Sequence, residues 1–126
     1  MNRSDSNEYA NFRIEENVVV FEYKGGVMID LKAAEKIVHD RVKFQEGKPY
    51  PVLCDTRLLS DTDKEARDYL AKEGSFLATA VALLVAPPVS NAITDFYMRT
   101  SKPDTPTRTF TDKYSAMKFL REFKSN

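Results

Sequence analysis

The stretch AVALLVA at residues 80–86 decides the fold, because all seven of its residues are apolar. A run of this length that is apolar at every position is typical of a β-strand buried on both faces, as at the centre of a parallel sheet. The Pro87–Pro88 pair that follows cannot continue the hydrogen bonds of a strand, so it ends the run. We therefore expect residues 80–86 to form the central strand of an α/β sheet.

Two shorter runs near the N-terminus predict an antiparallel hairpin. Apolar residues recur at every second position in Tyr9–Glu15 and in Val18–Lys24, which is the pattern of strands with one buried face. Glu16–Asn17 separates the two runs, and a connection of this length fits a tight turn. We expect Tyr9–Glu15 to lie at an edge of the sheet.

From Asp30 onward, helices alternate with strands. Asp30 is a candidate N-cap for a helix that runs to about Gln45, where Gly47 and Pro49 stop it. The later predicted elements are a strand at Pro51–Asp55, a helix capped by Thr62 or Asp63 that runs through Lys72, the strand at residues 80–86, a helix capped by Ser90, a strand at Thr107–Phe110, and a final helix opened by Thr111 or Asp112. The predicted fold is therefore α/β, with a five-stranded, mostly parallel sheet, one antiparallel edge strand and four helices in the order ββαβαβαβα.

Length and charge favour one domain over residues 9–126, preceded by a flexible polar tail over residues 1–8. The chain has 126 residues, near the usual size of a single domain. Its 19 Lys and Arg balance 19 Asp and Glu, so no net field attracts nucleic acid. The longest apolar segment, residues 78–88, is too short to span a bilayer, and the N-terminal residues lack the apolar stretch of a secretory signal. We expect a cytoplasmic protein without stable membrane insertion.

The residue types that carry catalysis and metal binding are sparse. The chain has one cysteine, Cys54, and one histidine, His39, which cannot supply the ligands of a structural zinc site. We expect Cys54 to be a buried apolar residue with a raised pKa and His39 to be solvent-exposed. No base and nucleophile pair is visible. The sequence therefore predicts no metal, no cofactor and no enzymatic activity.

A family resemblance rests on the stretch Val52-Leu53-Cys54-Asp55, which leads through residues 56–63 into a helix, and on the order of the elements. Together these features resemble the STAS and SpoIIAA-like superfamily of anti-sigma-factor antagonists, some of whose relatives look like lipid-carrying SEC14-type domains. The resemblance extends from about Tyr9 to Phe123. It implies a SpoIIAA-like fold and a regulatory role exercised through a protein partner.

The resemblance also raises the question of a phosphorylation switch. In regulatory members of the superfamily, a partner kinase phosphorylates a serine at the start of the helix after this strand. The equivalent stretch here, SDTDKE at residues 60–65, lacks the usual glycine, and acidic residues flank both hydroxyls. Because those carboxylates would repel a phosphate, we expect constitutive partner binding.

Polar residues follow three of the predicted strands at their C-terminal ends. Because the C-terminal ends of parallel strands meet at one edge of a sheet, ligand-binding groups gather there, and the helices that begin there offer free backbone N–H groups. We call this edge the rim; the side chains expected there as contacts for a partner or a small anion are Asp55, Thr56, Arg57, Ser60, Thr62, Ser90, Asn91, Thr111 and Asp112. In the simpler alternative, Asp55, Ser90 and Asp112 are only caps and turn residues.

The sequence leaves two functions open. The first is a non-enzymatic protein-interaction or regulatory module that binds a protein partner through the rim and the helix after Asp55. The alternative is a small-molecule or lipid-binding domain with a pocket between the helices and the sheet. A homodimer is also predicted, because the N-terminal hairpin leaves an open sheet edge.

Overall fold

The strands of the main sheet lie side by side in the order in which they occur along the chain. The structure is a computed structural model that describes residues 3–86 and 89–123, without the side chains of residues 89–91. Its strands are β1 (Ser4–Ser6), β2 (Ala10–Glu15), β3 (Val18–Tyr23), β4 (Met28–Ile29), β5 (Tyr50–Asp55), β6 (Asp61–Thr62), β7 (Ala78–Leu84) and β8 (Thr107–Phe110); its helices are α1 (Leu31–Phe44), α2 (Lys64–Lys72), α3 (Val89–Thr100) and α4 (Lys113–Arg121), with a short 3₁₀ helix at Glu73–Ser75. The main sheet has the order β1-β2-β3-β5-β7-β8, and β4 pairs separately with β6.

The predicted hairpin is confirmed as β2 and β3. Its turn residues, Glu16 and Asn17, have φ angles of 53° and 62°, and a type I′ turn requires positive φ at both central positions. Phe12 of β2 pairs with Phe21 of β3, and the centres of their rings lie 5.4 Å apart. This stacked pair anchors the inner face of the hairpin in the core.

Residues 3–8 do not form the flexible tail that was predicted over residues 1–8; residues 1 and 2 lie outside the described residues. Residues 4–6 form β1, which pairs antiparallel with β2 and makes a sixth strand at the edge predicted for β2. The Asn7 side chain donates to Asp40 of α1 over 2.8 Å, and the guanidinium of Arg3 lies 4.6 Å from the centre of the Phe44 ring. Polar composition suggested disorder, but backbone pairing with β2 and these contacts with α1 order the segment.

The strand predicted at residues 80–86 is confirmed as β7, which begins at Ala78 and ends at Leu84. It is parallel to β5 on one side and to β8 on the other, so it is an interior strand, but it lies next to the edge strand and not at the middle of the sheet. Val81 and Leu83 face a cavity, whereas Ala82 and Leu84 pack on the opposite face. This alternation explains why the strand is apolar at nearly every position.

The helices divide unequally between the two faces of the sheet. Helices α1, α2 and α3 contribute to the core on one face, and α4 covers the other through Ala116, Met117 and Leu120. Three successive right-handed crossovers in one direction place their helices on the same face, which accounts for this arrangement. None of the helices in the described part of the chain has the length and apolar character of a membrane span.

Three of the predicted caps are confirmed and one is not. The carboxylates of Asp30, Asp63 and Asp112 each accept a hydrogen bond from the backbone N–H three residues later, over 2.8–2.9 Å. Each therefore satisfies one free donor in the first turn of α1, α2 or α4. Helix α3 already begins at Val89, so Ser90 lies inside it and not at its N-cap.

Because the turn residues have positive φ angles, a β-branched residue in the turn should lower the free energy of unfolding. Asn17→Val should destabilise the protein by about 1–2 kcal/mol, because asparagine tolerates a left-handed backbone and valine does not. Asn11→Val is the matched control, since Asn11 is an exposed residue of β2 in the same hairpin, where a β-branched residue is tolerated. Urea denaturation followed by circular dichroism measures both, and an equal cost at the two positions would contradict the type I′ turn.

Candidate functional site

The structure brings the C-terminal ends of β5, β7 and β8 together, as the rim requires. The backbone N–H of Thr56 donates to the carbonyl of Leu84 over 2.9 Å, and that of Val85 donates to the carbonyl of Phe110 over 2.8 Å. The residues that follow these strands, including Thr111 and Asp112 after β8, therefore share one edge of the sheet.

Asp55 and Arg57 form an ion pair with each other at this edge. The Arg57 guanidinium donates from Nε and Nη2 to the two carboxylate oxygens over 3.0 and 2.8 Å, and its backbone N–H adds a third bond of 3.0 Å. Burial alone would raise the pKa of Asp55, but these hydrogen bonds and the charge of Arg57 outweigh it and hold the pKa below its ordinary value. The fork of Arg57 is thus already occupied by a carboxylate of its own chain.

The other rim residues differ in how they are placed. Thr56 and Thr62 are buried, and their hydroxyls donate over 2.8 Å to the carbonyls of Leu84 and Ile29. Ser60 and Thr111 are exposed, and Asp112 caps α4. The predicted contacts at Ser90 and Asn91 lie outside the described side chains. The two threonines therefore join strand ends and face inward, not outward.

The interior face of the rim borders a cavity of about 100 Å³ between the sheet and helices α1, α2 and α3. Val52, Cys54, Val81 and Leu83 form its floor on the sheet. On the helix side, α2 is short, and its fully buried side chains are both alanine, which fill little of this space. Native cores rarely leave a void larger than a water molecule, so this cavity is the strongest candidate for a functional site.

Arg41 closes the end of the cavity that lies away from the rim. Only 4% of this residue is exposed, and its guanidinium donates to the carbonyls of Gly74 and Phe76 over 3.0 and 2.9 Å and to the side chain of Gln45. Burial lowers the pKa of Arg41 to about 10, which leaves it charged at neutral pH. A buried cation is therefore held here by neutral acceptors alone.

Arg67 lies near the rim, at the start of α2. Its Nη1 donates to the carbonyl of Thr62 over 2.8 Å, and its guanidinium carbon lies 4.7 Å from the centre of the Phe96 ring. Its Nε is buried and has no hydrogen-bond partner among the described residues. Arg67 is therefore a cavity-lining residue with one unused donor.

Two weakly acidic groups also face the cavity. Burial raises the pKa of the Cys54 thiol to about 12, and the neighbouring Asp55 carboxylate raises it further. Burial also raises the pKa of the Tyr97 hydroxyl above its ordinary value. Both groups are therefore neutral at physiological pH, as was predicted for Cys54.

Neither arginine is among the site residues predicted from the sequence. Arg41 continues the inward row of α1, four residues after Ile37, with Gln45 a further four residues on, and all three are buried. Arg67 shares a face of α2 with Leu70, three residues later, and both line the cavity. The signal that could have revealed them is a polar residue at an inward helical position.

Comparisons with known proteins agree with this fold. A family model described as "Domain of unknown function (DUF7793)" matches residues 12–124. A solved structure of an uncharacterised protein of the DUF3478 family from Shewanella loihica PV-4, described as having a SpoIIAA-like fold, superimposes with a TM-score of 0.60 at 16% identity and covers 92% of this chain and 98% of its own. No curated protein matches the chain significantly. The predicted SpoIIAA-like fold is confirmed.

Cys54 should make stability fall at alkaline pH. Its pKa is about 12 in the folded protein against an ordinary value of 9.0, so in this interval the folded chain keeps a proton that the unfolded chain loses. The contribution is complete below about pH 9 and is lost as the pH rises toward 12. Between about pH 7 and pH 9.5, the free energy of unfolding should fall by roughly 1 kcal/mol more in the wild type than in Cys54→Ala.

Urea denaturation of both proteins at both pH values measures this difference. Because the two proteins share every other titrating group, the contributions of those groups cancel. Equal losses in the two proteins would mean that the folded state exposes the thiol to water, contrary to its position in the cavity wall.

Proposed function

The chain belongs to the DUF7793 family, a domain of unknown function, and on that premise we propose from the site itself that it is a non-enzymatic domain that binds a small, mostly apolar molecule. The observation that carries this proposal is the cavity between the sheet and α1, α2 and α3. Ligand sites are typically concave and apolar, with a few convergent polar groups. The floor of Val52, Cys54, Val81 and Leu83 supplies the apolar surface, and the two arginines supply the polar groups.

The volume of the cavity limits the size of the ligand. An engineered cavity of about 150 Å³ in another protein binds benzene, and the cavity here is about 100 Å³. A single six-membered ring or a short aliphatic chain matches this space, whereas a nucleotide or a whole lipid exceeds it.

The chemistry of the cavity wall supports binding without a reaction. The Cys54 thiol is protonated at neutral pH because burial raises its pKa, so it is a weak nucleophile. His39, the single histidine of the chain, is an exposed residue of α1 and is not among the described residues that line the cavity. A general base is therefore not paired with the thiol.

A neutral ring compound tests the proposal. Benzyl alcohol titrated into the ¹⁵N-labelled protein should shift the amide signals of β5, β7 and α2 and should raise the melting temperature. Val81→Phe places a phenyl ring in the cavity and should weaken this binding about tenfold or more, whereas the matched Val81→Ala variant keeps the space and should still bind. Absence of binding to the wild type, or equal binding by the phenylalanine variant, would refute the proposal.

A second candidate function, a protein partner at the rim, is favoured by exposed apolar residues beside Arg57. Leu58 is 63% exposed and Met28 is 46% exposed, and arginine is one of the residue types enriched in binding hot spots. A Cβ added at Gly25 would lie 3.9 Å from the Cβ of Leu58, so the loop after β5 lies close to the turn after β3. The homodimer also remains a prediction, although the edge strand β1 is short, polar and exposed, which disfavours pairing through that edge.

Substitution of the exposed loop tests this second candidate. Leu58→Ser and Arg57→Glu should each reduce the recovery of partners from the native lysate severalfold. Leu58→Ser should leave the melting temperature nearly unchanged, whereas Arg57→Glu should lower it, because it removes the hydrogen-bond partner of the Asp55 carboxylate. Phe76→Ser is the matched control, because Phe76 is 60% exposed but precedes β7 at the opposite end of the sheet. Recovery of the same partners in the same yield by all variants would exclude the rim as an interface, and light scattering of each variant tests the dimer.

A further inference from the structure

We propose that the cavity selects a small apolar molecule that carries one anionic group, a carboxylate or a phosphate monoester, and that Arg67 binds that group. This inference rests on the proposed function, since it specifies the ligand class of the same cavity. It predicts a preference that a purely apolar cavity would not have.

The first argument is the unused donor of Arg67. One edge of its guanidinium is fixed by the Thr62 carbonyl, and its plane is fixed by the Phe96 ring. The buried Nε has no hydrogen-bond partner among the described residues. A buried donor without an acceptor costs free energy, and an anionic oxygen at the cavity wall would remove that cost with a charge-assisted hydrogen bond.

The second argument is the imbalance of charge around the cavity. Arg41 and Arg67 both line it, and none of the described residues that line it carries a carboxylate. Arg41 is bonded to neutral acceptors. The carboxylate next to Arg67 along the chain, Asp68, is bound by Lys64 over 2.6 Å and by Ser101 over 2.9 Å. Two arginines beside a cavity whose described lining has no carboxylate favour an anionic ligand.

The two arginines are not equivalent, and the position of Arg67 makes it the binding group. Arg41 is almost fully buried at the far end of the cavity, where three acceptors already hold its donors. Arg67 is partly exposed and lies beside Thr62 at the rim. A charged group at the rim would therefore lie nearer to Arg67 than to Arg41. The apolar body of the ligand would then lie toward Val81 and Leu83.

The experiment compares ligands of the same ring size and different charge. Benzoate, phenyl phosphate and benzyl alcohol are titrated into the wild type, Arg67→Met and Arg99→Met by isothermal calorimetry and NMR. Arg99 is the matched control, because its guanidinium also lies near the Phe96 ring, at 5.9 Å, but it is exposed and does not line the cavity. Arg67→Lys is the second variant, for use if the methionine variant fails to fold. It keeps the positive charge and removes Nε.

The wild type should bind benzoate or phenyl phosphate about tenfold or more tightly than benzyl alcohol, and the tighter of the two anions identifies the anionic group. Arg67→Met should lose this preference and keep its affinity for benzyl alcohol, Arg67→Lys should retain part of the preference, and Arg99→Met should resemble the wild type.

Equal affinity of the wild type for the three compounds would overturn the inference and leave the proposed function intact, because benzyl alcohol would still bind. Equal loss of anion affinity in the Arg67 and Arg99 variants would also overturn it, because the attraction would then come from the general surface charge. Binding of none of the three compounds would overturn both the inference and the proposed function.

Discussion

The buried guanidinium of Arg41 fixes the geometry on which the rest of this molecule depends. A cation inside an apolar core must be surrounded by acceptors, and Arg41 finds them in the carbonyls of Gly74 and Phe76 and in Gln45. Gln45 in turn donates to the carbonyls of Lys48 and Leu77 over 2.8 and 2.9 Å. This chain of hydrogen bonds joins the end of α1, the 3₁₀ helix and the start of β7. These bonds fix the end of α1 against the 3₁₀ helix and the start of β7, at one end of the cavity.

At the rim end of the cavity, the hydroxyl groups of two threonines connect separate parts of the chain. Thr56 and Thr62 attach the loop after β5 to the carbonyls of Leu84 and Ile29. The hydrogen bonds of Arg41 therefore lie at one end of the cavity, and those of the two threonines lie at the other end. Because Thr62 also presents its carbonyl to Arg67, the rim and the cavity wall are joined at this residue.

The features that the sequence predicts correctly are those encoded locally. Alternation of apolar residues and a two-residue turn define the β2–β3 hairpin, an unbroken apolar run defines β7, and aspartates three residues before a free backbone donor define the caps. The features that it misses depend on partners distant along the chain. Strand β1 is polar and is ordered by β2 and α1, and Arg41 resembles a surface residue until Gly74 is placed beside it. The cavity itself reflects the summed side-chain volumes of four elements, which no single stretch reveals.

The order of the strands has a consequence for the nascent chain. Each strand after β2 is added next to its predecessor, so the sheet can grow outward from the hairpin while the protein is still being synthesised, N-terminal elements first. Helices α1, α2 and α3 cover their face as it forms. The opposite face, with Val18, Val20 and Leu53, stays bare until α4 docks on it. Until α4 has been synthesised, the growing domain thus carries one uncovered apolar face.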